Sequence, residues 1–578
     1  MTGGDHIALA LKRRGVRFLY TLCGGHISPI LVSAKACGIR VIDVRHEATA
    51  VFAADATARL SGVPGVAAVT AGPGATNALT AVKNAQLAQS PVLLLGGATA
   101  TLLRGRGALQ DIDQMALMRP HVKWATRVAR VRDLGPVVEE AFARASADVP
   151  GPVFVECPVD LLYPADLVRQ WYAARTDAPA RGLQERTVRH YVRRHLRLML
   201  EGAQDLAGAG PRVDASPRPP PQGQVDEVAS LLARAERPVL LVGSQALPEP
   251  RRAATLAAAV STLGIPVYLS GMARGLLGAA NPLQLRHHRK EALREADLVV
   301  LAGLPCDFRL DYGSHIGRRA VLVSANSSAR ELRLNRRPRV AVHGPPDLFL
   351  GALAAVSGPR ARGDSWATAL RTRDNEREAE IERQAREVAH GGLHPLRVCR
   401  AIETLLPRES VIVADGGDFV ATASYVLRPR GPLTWLDPGV FGTLGVGAGF
   451  ALAAKLLRPQ AEVWLLYGDG SVGFSLAEAD TFARHGVGVL AVVGNDARWS
   501  QIAREQVEVL GDDVGTRLRP TDYHRAADGL GAVGLKVDTD SALEPTLREA
   551  QTVAGTGRPV YVNVRLGRTD FRKGSVSM

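Results

Sequence analysis

Cysteine is scarce: five residues, Cys23, Cys37, Cys157, Cys306 and Cys399, are scattered along the chain with no C-x-x-C pair. That excludes a disulfide framework and leaves a zinc site without support. Aromatic residues make up only 5% and no nucleic-acid motif is present, so the net charge of +14 does not read as a nucleic-acid protein. No run of about 18 apolar residues occurs, which argues against a membrane-spanning helix. The start, Met1-Thr2-Gly3-Gly4-Asp5-His6, lacks the charged-then-apolar pattern of a secretory signal, so the expected location is the cytoplasm.

What is there is a globular α/β composition. Hydrophobic residues make up 46% of 578, too long a chain for one core, and two to four domains are expected. Arginine dominates the basic set. It reads either as the usage of a GC-rich genome or as provision for an anionic substrate such as a coenzyme A ester, since guanidinium is a good phosphate ligand.

The expected fold class is α/β, with three doubly wound parallel-sheet domains. Residues 1–163 alternate helix and strand patterns, with strands at Val41–Val44, Val66–Thr70, Val92–Leu95 and Val153–Val155. Residues 164–222 differ: a basic helix carries Val188, Tyr191, Val192 and Met199 on one face, and Pro217-Arg218-Pro219-Pro220-Pro221 reads as an extended linker. The helix either packs across an interface or lies on an anionic membrane surface, the latter the lesser expectation. Residues 223–356 resume α/β, with strands at Val239–Val242, Pro266–Leu269, Leu298–Ala302 and Ala320–Val323. Residues 357–392 form a charged helical connector, and 393–578 a third α/β block. Gly151-Pro152-Val153-Phe154-Val155 and Arg558-Pro559-Val560-Tyr561-Val562 echo each other. They reflect either a duplication or two α/β domains that each finish on a buried strand.

The strongest signal is Gly468-Asp469-Gly470-Ser471, with 24 residues between Gly470 and the pair Asn495-Asp496. Val463–Tyr467 reads as a buried strand, residues from Phe474 to His485 as a helix, and Val487–Val493 as a second buried strand. Parallel strands joined by a crossover helix bring Asp469 and Asp496 to one sheet edge. Two side-chain oxygens beside a glycine turn at a helix N-terminus suit a hard cation and a phosphate.

With this anchor go Gly24-Gly25-His26-Ile27-Ser28-Pro29, Arg45-His46-Glu47-Ala48-Thr49-Ala50, Thr70-Ala71-Gly72-Pro73-Gly74-Ala75-Thr76-Asn77, Gly271-Met272-Ala273-Arg274-Gly275 and Trp435-Leu436-Asp437-Pro438-Gly439 running into Phe441–Gly445. Over essentially its whole length the chain resembles the thiamine-diphosphate enzyme family that includes acetolactate synthase, oxalyl-CoA decarboxylase and 2-hydroxyacyl-CoA lyase. The resemblance implies a pyrimidine-binding, a central and a diphosphate-binding domain, in that order.

It also implies cofactors, thiamine diphosphate and Mg²⁺, and roles. Asp469, Asp496 and the main-chain carbonyl of Arg498 would hold the metal, with the backbone at Gly470 and Ser471 on the diphosphate. Asp496 is a departure, because much of the family has Asn there; an added carboxylate makes cofactor binding more dependent on the metal. Glu47, on residue pattern alone an ordinary first-turn glutamate, would hydrogen-bond the aminopyrimidine ring. Leu444, otherwise a core leucine, would wedge between the cofactor's two rings. Gly24 and Gly25 would approach the cofactor. Asn77 would lie near the substrate, Gln110 would match a cleft glutamine, and His26 is either structural or an acid/base group. In the central domain, where related enzymes bind FAD or ADP, Arg274 and Arg309 either contact an adenine nucleotide such as that of CoA or form ion pairs.

The function expected from the resemblance is cleavage of a 2-hydroxyacyl-CoA to formyl-CoA and an aldehyde. The alternative is an acetolactate-synthase-type carboligase acting on a 2-oxo acid such as pyruvate; a non-catalytic subunit that kept the fold would not need Glu47, Asp469 and Asp496. The expected partners are a small-molecule substrate, a CoA thioester, and other copies of the chain in a homodimer or homotetramer, with no nucleic acid.

Overall fold

A computed structural model describes residues 1–176, 182–202, 219–358 and 365–573. Strands come in three sets of six. The first is β1 (Phe18–Thr21), β2 (Arg40–Asp43), β3 (Gly65–Val69), β4 (Val92–Ala98), β5 (Trp124–Arg127) and β6 (Val153–Pro158). The second is β7 (Pro238–Val242), β8 (Val267–Leu269), β9 (Gln284–Leu285), β10 (Leu298–Ala302), β11 (Val321–Asn326) and β12 (Val340–His343). The third is β13 (Ser410–Ala414), β14 (Trp435–Leu436), β15 (Glu462–Gly468), β16 (Val489–Asn495), β17 (Val533–Val537) and β18 (Val560–Arg565). Neighbouring strands in all three sheets run parallel, as the near-continuous apolar runs of β3, β4, β10, β13 and β16 require, since both faces of such strands are covered by helices.

The described residues fall into two compact units. The first sheet belongs to one, which begins at Met1; the other two sheets belong to the second, with residues 59–62 grouped with it. The first and third sheets share one order, β2-β1-β3-β4-β6-β5 and β14-β13-β15-β16-β18-β17, whereas the second runs β12-β11-β10-β7-β8-β9. The echoing segments at 151–155 and 558–562 thus lead into the same strand position, β6 and β18, of two like sheets, which favours the duplication.

Local chemistry sets the elements. The opening helix Gly3–Arg13 is closed by a capping box: Thr2 Oγ1 accepts the Asp5 amide at 3.2 Å and Asp5 Oδ2 accepts the Thr2 amide at 2.7 Å. Lys12 and Arg13 sit in its last turn, where positive charge suits the helix dipole. All five cysteines are free. No described helix is long and apolar enough to cross a membrane.

Three readings change. The sequence pattern missed β1 and β5, four-residue strands too short to show a period. The helix expected from Phe474 to His485 starts only at Glu478; a separate short helix, Asp469–Val472, precedes it, and the turns between them leave Phe474 61% exposed. The basic helix spans Leu183–Leu200, but its buried stripe is Val192, Leu196 and Met199, while Val188 and Tyr191 are exposed. That stripe packs into the core of the first unit beside Val168 and Tyr172, so its apolar face is already covered and a membrane-surface role is dropped. Of the expected proline linker, Pro217 and Arg218 lie outside the described residues; a helix starts at Gln222. The connector contains the helix Ser365–Gln384, with 359–364 outside the described residues.

Candidate active site

In the third sheet β13 and β15 are neighbours although β14 lies between them in sequence. The loops leaving them turn to opposite sides, and a crevice opens at their C-terminal ends. Next to β15 lies β16, with Gly468 opposite Gly494, so Asp469 and Asp496 open the loops at adjacent strand ends. Both line a cavity of about 510 Å³.

Asp469 is 3% exposed. Its Oδ1 accepts the Gly470 amide at 2.8 Å and its Oδ2 the Arg498 amide at 3.1 Å. Burial, and then the charge of Asp496, push its carboxyl up to about 7. Burial also raises Asp496, against a hydrogen bond donated by the Ser500 hydroxyl, and Asp418 adds like charge. Among the described residues these two acids, held above the ordinary carboxylate range beside one cavity, form no ion pair. Among the described residues no three His, Cys, Asp or Glu side chains gather as a metal site. A cation here would therefore take two carboxylate oxygens and fill its shell with main-chain, phosphate or water oxygens, a donor set that fits a hard divalent ion. Arg498 lines the same cavity and sends its guanidinium to Asp513 at 3.1 Å.

Gly470 is required by a close approach: a Cβ there would stand 2.3 Å from the Trp499 ring. The Ser471 hydroxyl closes the turn, donating to the Gly468 carbonyl and accepting the Gly468 amide, each at 3.1 Å. Leu444 enters the cavity from the loop before the helix Val446–Leu457 and rests on Gly416, where a Cβ would meet Leu444 Cδ2 at 2.3 Å.

Asp415 was missed from sequence. It ends β13's run, and its two oxygens accept the amides of Gly445 at 2.9 Å and Gly447 at 2.7 Å, holding the loop that carries Leu444. Burial pushes its carboxyl up to about 7. The signal was available: Asp415-Gly416-Gly417 follows a buried strand just as Asp469-Gly470 does.

In the first unit, Glu47 opens the helix Glu47–Ser61 and is 5% exposed. The Asn77 amide donates to Glu47 Oε2 at 3.1 Å. His26 Nδ1 meets Thr70 Oγ1 at 3.2 Å, and burial lowers the imidazole's pKa. Gly24 packs on the Thr70 side chain, and the Gly25 carbonyl accepts from Tyr163 at 3.1 Å. Gln110 lies beside Gly72 with φ 62°. The buried glutamine of this region is instead Gln114, which accepts the Gly72 amide at 3.2 Å and donates to the Gly97 carbonyl at 3.0 Å.

The two central-domain arginines part company. Arg309 is ion-paired with Asp307, at 2.7 Å between Nη2 and Oδ2. Arg274 donates to the Ser424 carbonyl at 2.9 Å, lies 5.0 Å over the Trp435 ring, and lines the Asp469 cavity.

Three family descriptions match the chain: "Thiamine pyrophosphate enzyme, N-terminal TPP binding domain" over residues 1–117, "central domain" over 225–353, and "C-terminal TPP binding domain" over 415–564. The chain is similar to "2-hydroxyacyl-CoA lyase 2" of Bos taurus, 52% identical over 100% of this chain and 92% of the relative. It is similar to the protein of that name from Homo sapiens, at 50% with the same coverage. "Probable acetolactate synthase" of Mycobacterium bovis is 36% identical over 98% of this chain and 95% of the relative.

Proposed function

The chain belongs to the thiamine pyrophosphate enzyme family, and we propose that it is a thiamine-diphosphate-dependent carbon–carbon lyase that cleaves a 2-hydroxyacyl-CoA to formyl-CoA and an aldehyde, a reaction that run backwards joins the two. The observation that carries this reading is the whole-chain identity of about half to relatives named 2-hydroxyacyl-CoA lyase 2, against 36% to one named as an acetolactate synthase.

When bound, the cofactor supplies the carbon nucleophile and the electron sink for the cleavage. The chain's residues do the rest. Asp469 and Asp496, with the Arg498 carbonyl, would hold Mg²⁺, the counter-charge that two raised carboxyls call for. The backbone around Gly470 and Ser471 would receive the diphosphate, and Leu444, braced on Gly416, would pack against the bound cofactor. Glu47, steadied by Asn77, hydrogen-bonds the aminopyrimidine ring. His26, which burial keeps neutral, takes the proton of the substrate's 2-hydroxyl through an unprotonated ring nitrogen. Gln110 faces the substrate in the cleft, as its acetolactate-synthase counterpart does.

By the family's pattern, the Glu47 half-site of one subunit serves the Asp469 half-site of another, so a homodimer is the least assembly and a homotetramer fits equally. The cytoplasm is the proposed location. The test is direct. Purified protein with thiamine diphosphate and Mg²⁺ is incubated with a 2-hydroxyacyl-CoA and, separately, with pyruvate. Formyl-CoA and aldehyde are expected from the first. Acetolactate from the second with no formyl-CoA from the first overturns the reading.

A further inference from the structure

The buried stripe of the helix Leu183–Leu200 carries one polar side chain. His195 follows Val192 by three positions and precedes Met199 by four, so the helix turns it onto the docked face. Its Nε2 stands 2.7 Å from the Thr101 hydroxyl. That hydroxyl donates to Asp160 Oδ2 at 2.6 Å, and the Thr101 amide donates to the same oxygen at 2.9 Å. A hydroxyl has one proton, so the hydrogen of the His195–Thr101 bond comes from the ring. Burial, against the charge of Asp160, lowers the imidazole's pKa, so near neutral pH the donor is the uncharged tautomer with its hydrogen on Nε2. Tyr172, from the helix Ala165–Thr176, gives Asp160 Oδ2 a third hydrogen bond at 3.0 Å. Asp160 is fully buried and follows β6 directly, in the helix Val159–Leu162.

Thr101 is the stem of a loop. β4 ends at Ala98, and the next helix runs over Gln114–Met118. The span between them is tied at both ends, by Thr101 at its start and at its finish by the Gln114 side chain, which holds the Gly72 amide and the Gly97 carbonyl. Much of what lies between is exposed, Leu109 to 81%. Gln110 sits there with φ 62°, a left-handed conformation that a residue other than glycine keeps where its surroundings impose it. One source of that constraint is Gly72, where a Cβ would stand 2.8 Å from the Gln110 carbonyl oxygen. A loop pressed on Gly72 and fixed at both ends holds Gln110 in this conformation. A loop freed at Thr101 lets Gln110 relax and turn its side chain.

We propose that His195 is a positioning residue for the reaction: it fixes Thr101, and through it the loop 101–113, so that Gln110 keeps the direction in which it meets the substrate. This rests on the placement of Gln110 at the substrate given above. His195 acts through Gln110, and the helix that carries it thereby contributes to the site without lining it.

The experiment is a double-mutant cycle on the holoenzyme. His195→Ala should lower kcat/KM for a 2-hydroxyacyl-CoA about tenfold, the loss expected for one misdirected hydrogen bond. Gln110→Ala should do the same, and the double variant should lose no more than Gln110→Ala alone, because one change acts through the other. His195→Gln, whose side-chain amide can donate in place of Nε2, should stay within about twofold of wild type. Losses that multiply in the double variant overturn the proposal. So does a lowered melting temperature with kcat/KM intact, the mark of a purely structural histidine. Thr101→Val breaks the same link without touching the helix, and carries the same predictions should His195→Ala fail to fold. Hydrogen exchange needs no substrate and separates the two readings. Amides of residues 101–113 should exchange faster in His195→Ala than in wild type, while those of β3 are unchanged, which also reports that the variant folds. Faster exchange alongside an inert Gln110→Ala, or in a protein that cleaves no 2-hydroxyacyl-CoA, means that the underlying reading has failed while the fixing of the loop holds. Unchanged exchange in the loop overturns the proposal whatever the activity.

Discussion

Asn77 donates its side-chain amide to Glu47 Oε2 at 3.1 Å, tying the first turn of one helix to the second turn of another in the first unit. A buried carboxylate with one oxygen pinned has a fixed direction, which a group that must meet a ring nitrogen needs. Glu47→Gln should lower kcat by about 10²–10⁴-fold, the range for loss of a positioned proton-transfer group. Asn77→Ala should cost about tenfold, as expected for a hydrogen bond to a charged group. Steady-state kinetics checks both, and wild-type activity in Glu47→Gln would remove the residue from catalysis.

The two acids of the third sheet should be unequal. Asp469→Ala should abolish measurable activity, because it removes a ligand buried at the strand end. Asp496→Asn should keep activity within about tenfold, since an amide oxygen still ligates a hard cation. It should also raise the thermal midpoint of metal-free protein, because it removes a like charge beside Asp469. Titrating activity against Mg²⁺ after chelation, with melting curves of the apo forms, decides between them.

Asp415 should make stability fall as pH rises. Its folded pKa of about 7 lies above the ordinary carboxylate value, so the folded state binds the extra proton between about pH 4 and about pH 7. Stability contributed by that protonation is full below about pH 4 and is lost as pH rises through about 7. Asp415→Asn should flatten this part of the profile, and melting temperatures of the two proteins across pH 5 to 8 test the slope.

Leu444 and Gly416 should behave as a pair. Gly416→Ala puts a methyl where Leu444 Cδ2 stands, 2.3 Å from the new carbon, and should displace the wedge. Overpacking of this kind costs about 1–3 kcal/mol. Adding Leu444→Ala to Gly416→Ala should recover stability without recovering kcat. Denaturant unfolding and activity, measured on the single and double variants, read the two effects separately.

Much of this site was legible because its signals are local. A buried strand followed by Gly-Asp-Gly is a contiguous pattern, and the spacing to Asn495-Asp496 is one strand–helix–strand step. Most long strands were visible as apolar runs, because parallel strands are covered on both faces. What stayed hidden depends on contacts between distant segments. Asp415 has a visible turn signal, Asp-Gly-Gly after a buried strand, but what it does runs through the amides of Gly445 and Gly447, thirty residues on, which its own segment does not show. Arg309 and Arg274 looked alike in sequence; only the neighbouring Asp307 carboxylate on one and the Trp435 ring under the other tell them apart. The stripe of the Leu183–Leu200 helix shifted from Val188 and Tyr191 to Leu196 because its docking angle on the first core, not its own period, chooses the face.

The repeated strand order has one more consequence. At the first copy's turning point stand Gly24, His26 and Thr70; at the second stand Gly416, Asp415 and Asp469. The same backbone frame thus carries imidazole and hydroxyl in one copy and carboxylates in the other. Having two copies lets a chain specialise each without altering its architecture.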